Sequence, residues 1–259
     1  MEFYYYTVKF KIFLPIIKIV SIFFRNKTLF KTKEFKYSVP IGFDSISKFL
    51  MNFGLYETKE RSLIEKLNNK THIIEAGAGI GLISMYLNRK VNGKKLIMLE
   101  PNKKMNSIIK NNFKLNSMDF NNVILINKGL SESDKKDVTF QKFESDMANT
   151  ISQNVRDYNL KKKDVDLIDT ISINTLIYDH KLDSFQIVLD IEGEENNVLK
   201  LNNSWLKKCE SILLENHLPQ PELIRLNEYI VDKGFKLIDK KENVFLFKKK
   251  KSISYFFIF

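Results

Sequence analysis

Cysteine and histidine are scarce in this 259-residue chain, which carries one cysteine, Cys209, and three histidines, His72, His180 and His217. A lone thiol cannot close an internal disulfide, and scattered histidines supply no Cys/His zinc set. Neither an oxidised secreted scaffold nor a zinc module fits, and no metal ligand set is read from the sequence. A reducing cytosol fits best. No internal repeat or low-complexity linker is visible. Long uninterrupted apolar runs are missing as well. The most apolar zone, Phe3 to Phe30, is broken by Lys9, Lys11, Lys18, Arg25 and Lys27, and Pro15 would disturb a helix there. Any window of about 20 residues in this zone takes in a lysine, so it is too interrupted for a membrane span. No small-x-small cleavage site follows it, which argues against a cleaved signal peptide. We read it as an interfacial segment whose lysines meet anionic headgroups, with a strand or helix packed on the main domain as the alternative.

What remains is ordinary for a folded domain: 44% hydrophobic and 28% charged residues in a chain long enough for one substantial core. The net charge of +11 invites a nucleic acid or an anionic membrane as partner. The lysines are dispersed, however, as in Lys103-Lys104, Lys161 to Lys163 and Lys248 to Lys251, and they accompany abundant Asn, Ile and Phe. Most decorate solvated faces on this reading. Peripheral contact with the inner face of an anionic membrane is favoured over nucleic acid.

The passage that carries chemistry is Glu75-Ala76-Gly77-Ala78-Gly79-Ile80-Gly81, between the apolar Ile73-Ile74 and the helical stretch Leu82 to Leu87. Alternate glycines let a strand turn into a helix while the backbone lies close to a ligand. Leu96-Ile97-Met98-Leu99-Glu100 reads as a second strand ending in a carboxylate, where a ribose diol would lie in a parallel sheet. Together these imply a bound nucleoside. A nicotinamide dinucleotide would want a third small residue where the chain has Leu82. S-adenosylmethionine has no phosphate and carries cationic sulfonium and ammonium groups, so it suits a turn with Glu75 beside it.

Elsewhere Ile46, Phe49, Leu50 and Phe53, then Leu63, Ile64 and Leu67, fit helices that would cap the first strand. A helix is expected over Asn106 to Leu115, and strands over Val123 to Asn127, Phe185 to Leu189 and Ser211 to Glu215. Residues 131–183 loosen into short β-like pieces, Val138 to Phe143 and Ile171 to Ile173, an insertion suited to substrate specificity. A helix from Glu222 to about Asp232 precedes a terminal hairpin, Phe235 to Ile238 and Val244 to Phe247. The expected organisation is a basic aromatic segment (1–34), a helical cap (35–70), a main domain (71–247) and a basic apolar tail (248–259). Strand–helix alternation means a mostly parallel sheet with helices on both faces, closed by an antiparallel pair.

In order along the chain stand Gly54-Leu55-Tyr56-Glu57, the block Ile74 to Gly81, Glu100-Pro101-Asn102, Asn127-Lys128-Gly129-Leu130-Ser131, Leu189 to Glu195, and Leu214-Glu215-Asn216-His217. In their order and spacing these resemble the FkbM-type S-adenosylmethionine-dependent methyltransferases, over roughly Tyr56 to His217. The resemblance implies an α/β, Rossmann-like class I methyltransferase fold with a seven-stranded sheet. It also implies O-methylation of a hydroxyl on a sugar, glycan or related small metabolite. The chain carries Glu75 and Ala78-Gly79 where that family often has Asp and Ala-Asn.

On this reading Gly77, Gly79 and Gly81 pass under the methionine part, Glu75 faces its ammonium, Glu100 takes the ribose hydroxyls, and Asn102 and Lys128 border adenine. Methyl transfer is an in-line displacement, and a base in reach of the acceptor hydroxyl adds about 10²- to 10⁴-fold. Asp190 is the first choice for that base, with a helix N-cap as its bland role. His217 suits it through an ordinary imidazole pKa, and Glu215 could orient His217. Glu192, Tyr56 and Glu57 are candidates for acceptor binding, whereas Glu194 and Glu195 read as first-turn helix residues. His72 and His180 are poorly placed for catalysis. A nucleic-acid methyltransferase is the alternative enzyme. Base methylation would want an Asn/Asp-Pro-Pro-aromatic wall where Asp190-Ile191-Glu192-Gly193 stands. A non-catalytic, membrane-associated binding module of the same fold is the alternative outside enzymes.

Overall fold

The computed structural model describes residues 19–143, 150–151 and 162–250. The first 18 residues of the basic aromatic segment, parts of the insertion, Lys161 of the charge cluster, and the tail from residue 251 lie outside the described residues.

An antiparallel hairpin of β1 (Leu29–Lys31) and β2 (Lys36–Ser38) leads to α1 (Ser45–Asn52) and α2 (Thr58–Ile64). Then β3 (His72–Ala76), α3 (Leu82–Lys90), β4 (Leu96–Leu99), α4 (Lys103–Leu115) and β5 (Val123–Ile126) alternate. The insertion forms β6 (Gly129–Leu130), β7 (Lys135–Phe143) and β8 (Lys162–Ile171), a small three-stranded sheet of order β6-β8-β7. It is followed by α5 (Ile173–His180), β9 (Phe185–Leu189), α6 (Glu195–Lys200), β10 (Cys209–Glu215), α7 (Gln220–Asp232), β11 (Phe235–Lys241) and β12 (Val244–Lys249).

The main sheet runs β11-β12-β10-β9-β3-β4-β5, as expected a mostly parallel seven-stranded sheet with an antiparallel terminal hairpin. Its central strands read as continuous apolar runs because both faces are covered. Alternation divides each strand between two cores: Ile73, Leu96 and Met98 face the cap, α3 and α4, whereas Ile74, Ile97 and Leu99 face α5, α6 and α7. Strand order reverses between β3 and β9, which opens a crevice outside their carboxyl ends.

Three details differ from the sequence expectations. The cap is not wholly helical, since β2 lies within it. In α1 the buried positions are Lys48 and Met51, and Phe53 just beyond is more than half exposed. The reason is packing from segments before α1: Phe24 meets the rings of Phe49 and Phe53, and Lys48 Nζ donates to the carbonyls of Arg25 (2.7 Å) and Ile41 (2.6 Å). In the insertion, Ile173 starts a helix rather than ending a strand. Ser172 accepts from the Thr175 N–H (3.2 Å) as N-cap, and Ile173, Leu176 and Ile177 recur at helical spacing into the core.

Candidate active site

The turn after β3 is built by backbone approach. Gly77 and Ala78 both donate to the Leu99 carbonyl (3.0 and 3.1 Å), which binds the turn to the end of β4. Gly77 has φ +87°, and a Cβ there would sit 1.8 Å from the Asp190 carbonyl oxygen. Only glycine allows β9 to leave the sheet so close to this turn. Gly79, φ +52°, faces open space and donates to Glu100 Oε2 (2.8 Å), while the Asn102 N–H donates to Oε1 (2.7 Å). Glu100 thereby braces the turn and keeps lone pairs on both oxygens. Burial pushes its carboxyl up to about 7, against the pull of those two N–H groups.

Glu75 is the penultimate residue of β3 and is 2% exposed, and its Oε2 is buried without a hydrogen-bond partner. Burial pushes this carboxyl up to about 8, with the Ser84 hydroxyl pulling down and Glu100 adding to the rise. Near neutral pH this carboxyl is mostly protonated, and its buried oxygen can seat a cation only once ionised.

A cleft of about 670 Å³ lies over the turn, lined among others by Gly77, Gly79, Glu100, Lys128, Asp190 and Glu192. Three sequence candidates sit otherwise. Glu75 lines a separate small cavity with Gly77, Ala78 and Asp190 on the other side of the turn. Asn102 caps α4, accepting from the Lys104 N–H (3.1 Å), and does not line the cleft. Gly81, φ +78°, has Ile109 3.2 Å from the position of a Cβ, so it serves the packing of α3 on α4.

Beyond Asp190 a second cavity of about 810 Å³ opens under the cap. Tyr56, Glu57 and Glu60 form its cap side, and Asp190, Glu192, Glu215 and His217 its sheet side. Glu57, at φ +52°, turns the chain into α2 and so brings these side chains over the strand ends. Burial, then neighbouring carboxylates, pushes Glu57 well above its usual range, and burial with Glu215 pushes Glu60 up to about 7. Lys59 is spent on Glu242, 2.6 Å away at the rim.

Asp190, Glu192, Glu215 and His217 converge as the sequence reading expects. His217 Nε2 lies 3.5 Å from both Asp190 Oδ1 and Glu192 Oε2 and 3.8 Å from Glu215 Oε1. Its Nδ1 donates to Glu195 Oε1 at 2.9 Å. Burial alone would lower the imidazole pKa, but the Glu195 hydrogen bond and the charges of Asp190 and Glu192 hold it up at about 11. The ring is therefore a cation near neutral pH, which corrects the expectation that it serves as base there. Asp190 is pushed well above its usual value by loss of solvent and by Glu215, so it retains basicity when ionised.

A sequence model for the methyltransferase FkbM domain matches residues 75–237. This chain belongs to the FkbM methyltransferase family. Comparison with curated proteins returns no match. Among solved structures, an FkbM methyltransferase from Methylobacillus flagellatus KT is 14% identical, with TM-score 0.45 over 93% of this chain and 60% of that one. The chain thus spans 60% of that protein's length. A ribosomal protein L11 methylase from Lactobacillus delbrueckii subsp. bulgaricus is 9% identical (TM-score 0.42, 73% of this chain and 77% of that one). M. jannaschii TYW2, solved in complex with AdoMet, is 16% identical (TM-score 0.40, 87% of each chain). These likenesses are slight and carry nothing about the acceptor.

Three residues of this FkbM-family site escape a reading by motif. Glu195, read as a helix residue, does start α6, but it is fully buried and anchors His217. Glu60 is visible only as a carboxylate three residues after Glu57, on the same helical face. Asn127 donates to the carbonyls of Glu100 (2.7 Å) and Pro101 (3.0 Å) and so shapes the edge of the cleft. His72 accepts from the Lys95 N–H at the opposite sheet edge, and His180 ends α5, both away from the site.

Proposed function

We propose that this FkbM-family chain is an S-adenosylmethionine-dependent O-methyltransferase acting on a hydroxyl of a sugar, glycan or related small metabolite. The observation that carries the reading is the position of Asp190, which lines both the cleft over the glycine turn and the cavity under the cap. The residues present fit the cofactor: the orphaned Glu75 oxygen suits its ammonium, Glu100 has lone pairs left for ribose hydroxyls, and Gly79 leaves open space above the turn. Lys128 borders the far end of the cleft. When bound, S-adenosylmethionine supplies an electrophilic methyl group on sulfur.

The chain's own part is alignment and proton handling. Asp190 accepts the proton of the acceptor hydroxyl, and the His217 cation, held by Glu195, keeps Asp190 and Glu192 in place. Glu192, Glu215, Glu57 and Tyr56 offer hydrogen bonds to a polyhydroxylated acceptor. The cavity under the cap is lined by five carboxyls, Glu57, Glu60, Asp190, Glu192 and Glu215, and its lysine, Lys59, is paired with Glu242. Such a lining is poorly suited to phosphate, which supports a small-molecule or glycan acceptor over nucleic acid despite the basic overall charge.

No helix among the described residues is long and apolar enough to cross a membrane. Ile19, Ile22, Phe23 and Ile41 are exposed close to Arg25 and Lys27, which supports peripheral contact of this side with an anionic bilayer, at the inner face of a cytoplasmic enzyme's membrane. The test is methyl transfer from labelled S-adenosylmethionine into glycan and lipid-linked extracts. Incorporation that is lost in Asp190→Asn is expected. Labelling of RNA or DNA in place of glycan, or of nothing, overturns the reading. Glu100→Ala should weaken S-adenosylmethionine binding by roughly tenfold or more in calorimetry, and unchanged affinity would remove the ribose assignment.

A further inference from the structure

The carboxylates around His217 outnumber the cations that face them. Among the described residues lining the cavity, Lys59 is paired with Glu242, and His217 is the other cationic group beside five carboxyls. Asp190, Glu192 and His217 each offer one ligand atom such that all of these atoms lie within 4.8 Å of one another. Atoms so spaced fit around a hard divalent ion at ~2.0–2.5 Å from each.

The independent observation is the state of the ring. His217 is more than nine-tenths buried, and its Nε2 makes no hydrogen bond among the described residues yet points into the gap between Asp190 Oδ1 and Glu192 Oε2. Asp190 Oδ1 is itself shut off from solvent without a hydrogen-bond partner. On the far side, Nδ1 is tied to Glu195, a fully buried carboxylate that also accepts from the Gly193 N–H (3.2 Å). A carboxylate gripping one ring nitrogen while the other faces an oxygen-rich gap is how proteins orient a metal-binding imidazole.

We propose that Asp190, Glu192 and His217 form a binding site for one divalent cation of the magnesium or manganese class. Two carboxylates and one imidazole, with no thiolate, select a hard ion over copper(I) or structural zinc. The cavity under the cap leaves room for water to complete the coordination shell, as such ions require. Nε2 binds through its lone pair, and the ring proton leaves to solvent as the ion enters. Resting on the methyltransferase reading, the site has a consequence for it. The ion lies where the two cavities meet and polarises the acceptor hydroxyl, so that Asp190 and Glu192 act through it as well as directly.

The experiment is titration of the full chain with Mn²⁺ alone, without S-adenosylmethionine, in about 0.15 M salt. Free Mn²⁺ is followed by its paramagnetic resonance signal and displaced with Mg²⁺. Its result is independent of methyl transfer, so failure here leaves the proposed activity standing and the reverse. One Mn²⁺ per chain is expected, with nitrogen coupling from the imidazole in the pulsed spectrum. Glu192→Gln, on a partly exposed side chain, should weaken uptake by roughly tenfold or more, whereas Glu215→Gln, in the same cavity but outside the triad, should change it less than about threefold. Thermal melting confirms that each variant is folded. Asp190→Asn serves as a second ligand variant should Glu192→Gln unfold. Absence of uptake, absence of nitrogen coupling, or equal losses in Glu215→Gln and Glu192→Gln, the mark of diffuse acidic attraction, overturns the site.

Discussion

At the residue scale, the site is governed by what burial does to carboxyl groups. Glu75, raised to about 8 in the folded chain, binds a proton between its ordinary value and pH 8 that the unfolded chain has already lost. The folded state holds more protons in that window, so this residue's contribution to stability falls as pH rises through it. A cationic ligand wants the opposite, an ionised Glu75. Affinity for S-adenosylmethionine should therefore climb with pH, by at most about tenfold per unit, and level off near pH 8. Glu75→Gln should flatten that climb and raise the melting temperature relative to wild type as pH increases. Calorimetric titrations and melting curves from pH 6 to 9 check both, and a pH-independent wild type would remove the ammonium assignment. Gly77 answers to sterics alone. A methyl group placed 1.8 Å from a carbonyl oxygen cannot be relieved by a side-chain rotation. Gly77→Ala should cost at least about 3 kcal/mol in urea denaturation, or yield no folded protein.

At the element scale, the strands of the main sheet were legible because each is a short apolar run ending in a polar residue at the ligand edge. Glu75, Glu100, Asp190 and Glu215 were all found that way. What escaped detection depends on partners distant in sequence. Glu195 looks like any acid in a first helical turn until β10 brings His217 beside it, and the imidazole pKa moves only when the loops after β9 and β10 meet. The face of α1 was misjudged for the same reason. Lys48 is buried because Arg25 and Ile41 present carbonyls to it, a contact that no helical periodicity encodes. The strand β8 was hidden because Val165 and Leu167 face outward, which blurs the alternation that marks a half-buried strand. Lys48→Met should strand two carbonyls and loosen the cap from the segment around Arg25, at a cost of about 2 kcal/mol. Faster amide exchange confined to residues near 25 and 41, at unchanged sheet protection, is the expected signature in hydrogen-exchange mass spectrometry.

At the scale of the whole molecule, charge is distributed against the chain's average. A protein of net charge +11 gathers five of its 31 acidic side chains, Glu57, Glu60, Asp190, Glu192 and Glu215, at one cavity. On the proposed function, the basic exterior would draw the chain to anionic surfaces while the carboxyl-lined cavity receives a neutral hydroxylated acceptor. Deleting the residues before Lys31 should abolish sedimentation with anionic vesicles, and raised salt should weaken binding of the full chain. Wild-type protein that ignores such vesicles would end this reading.

The near-contact of Gly77 with the Asp190 carbonyl has an implication for how such enzymes diversify. The wall between the cleft over the glycine turn and the cavity under the cap is a single backbone thickness made of two strand ends, and neither can be reshaped without damaging the other. The opposite wall, Tyr56 to Glu60, belongs to a separate helix and carries no such obligation. New acceptor ranges, whether by evolution or by engineering, should therefore accumulate on the cap side and leave the shared partition untouched.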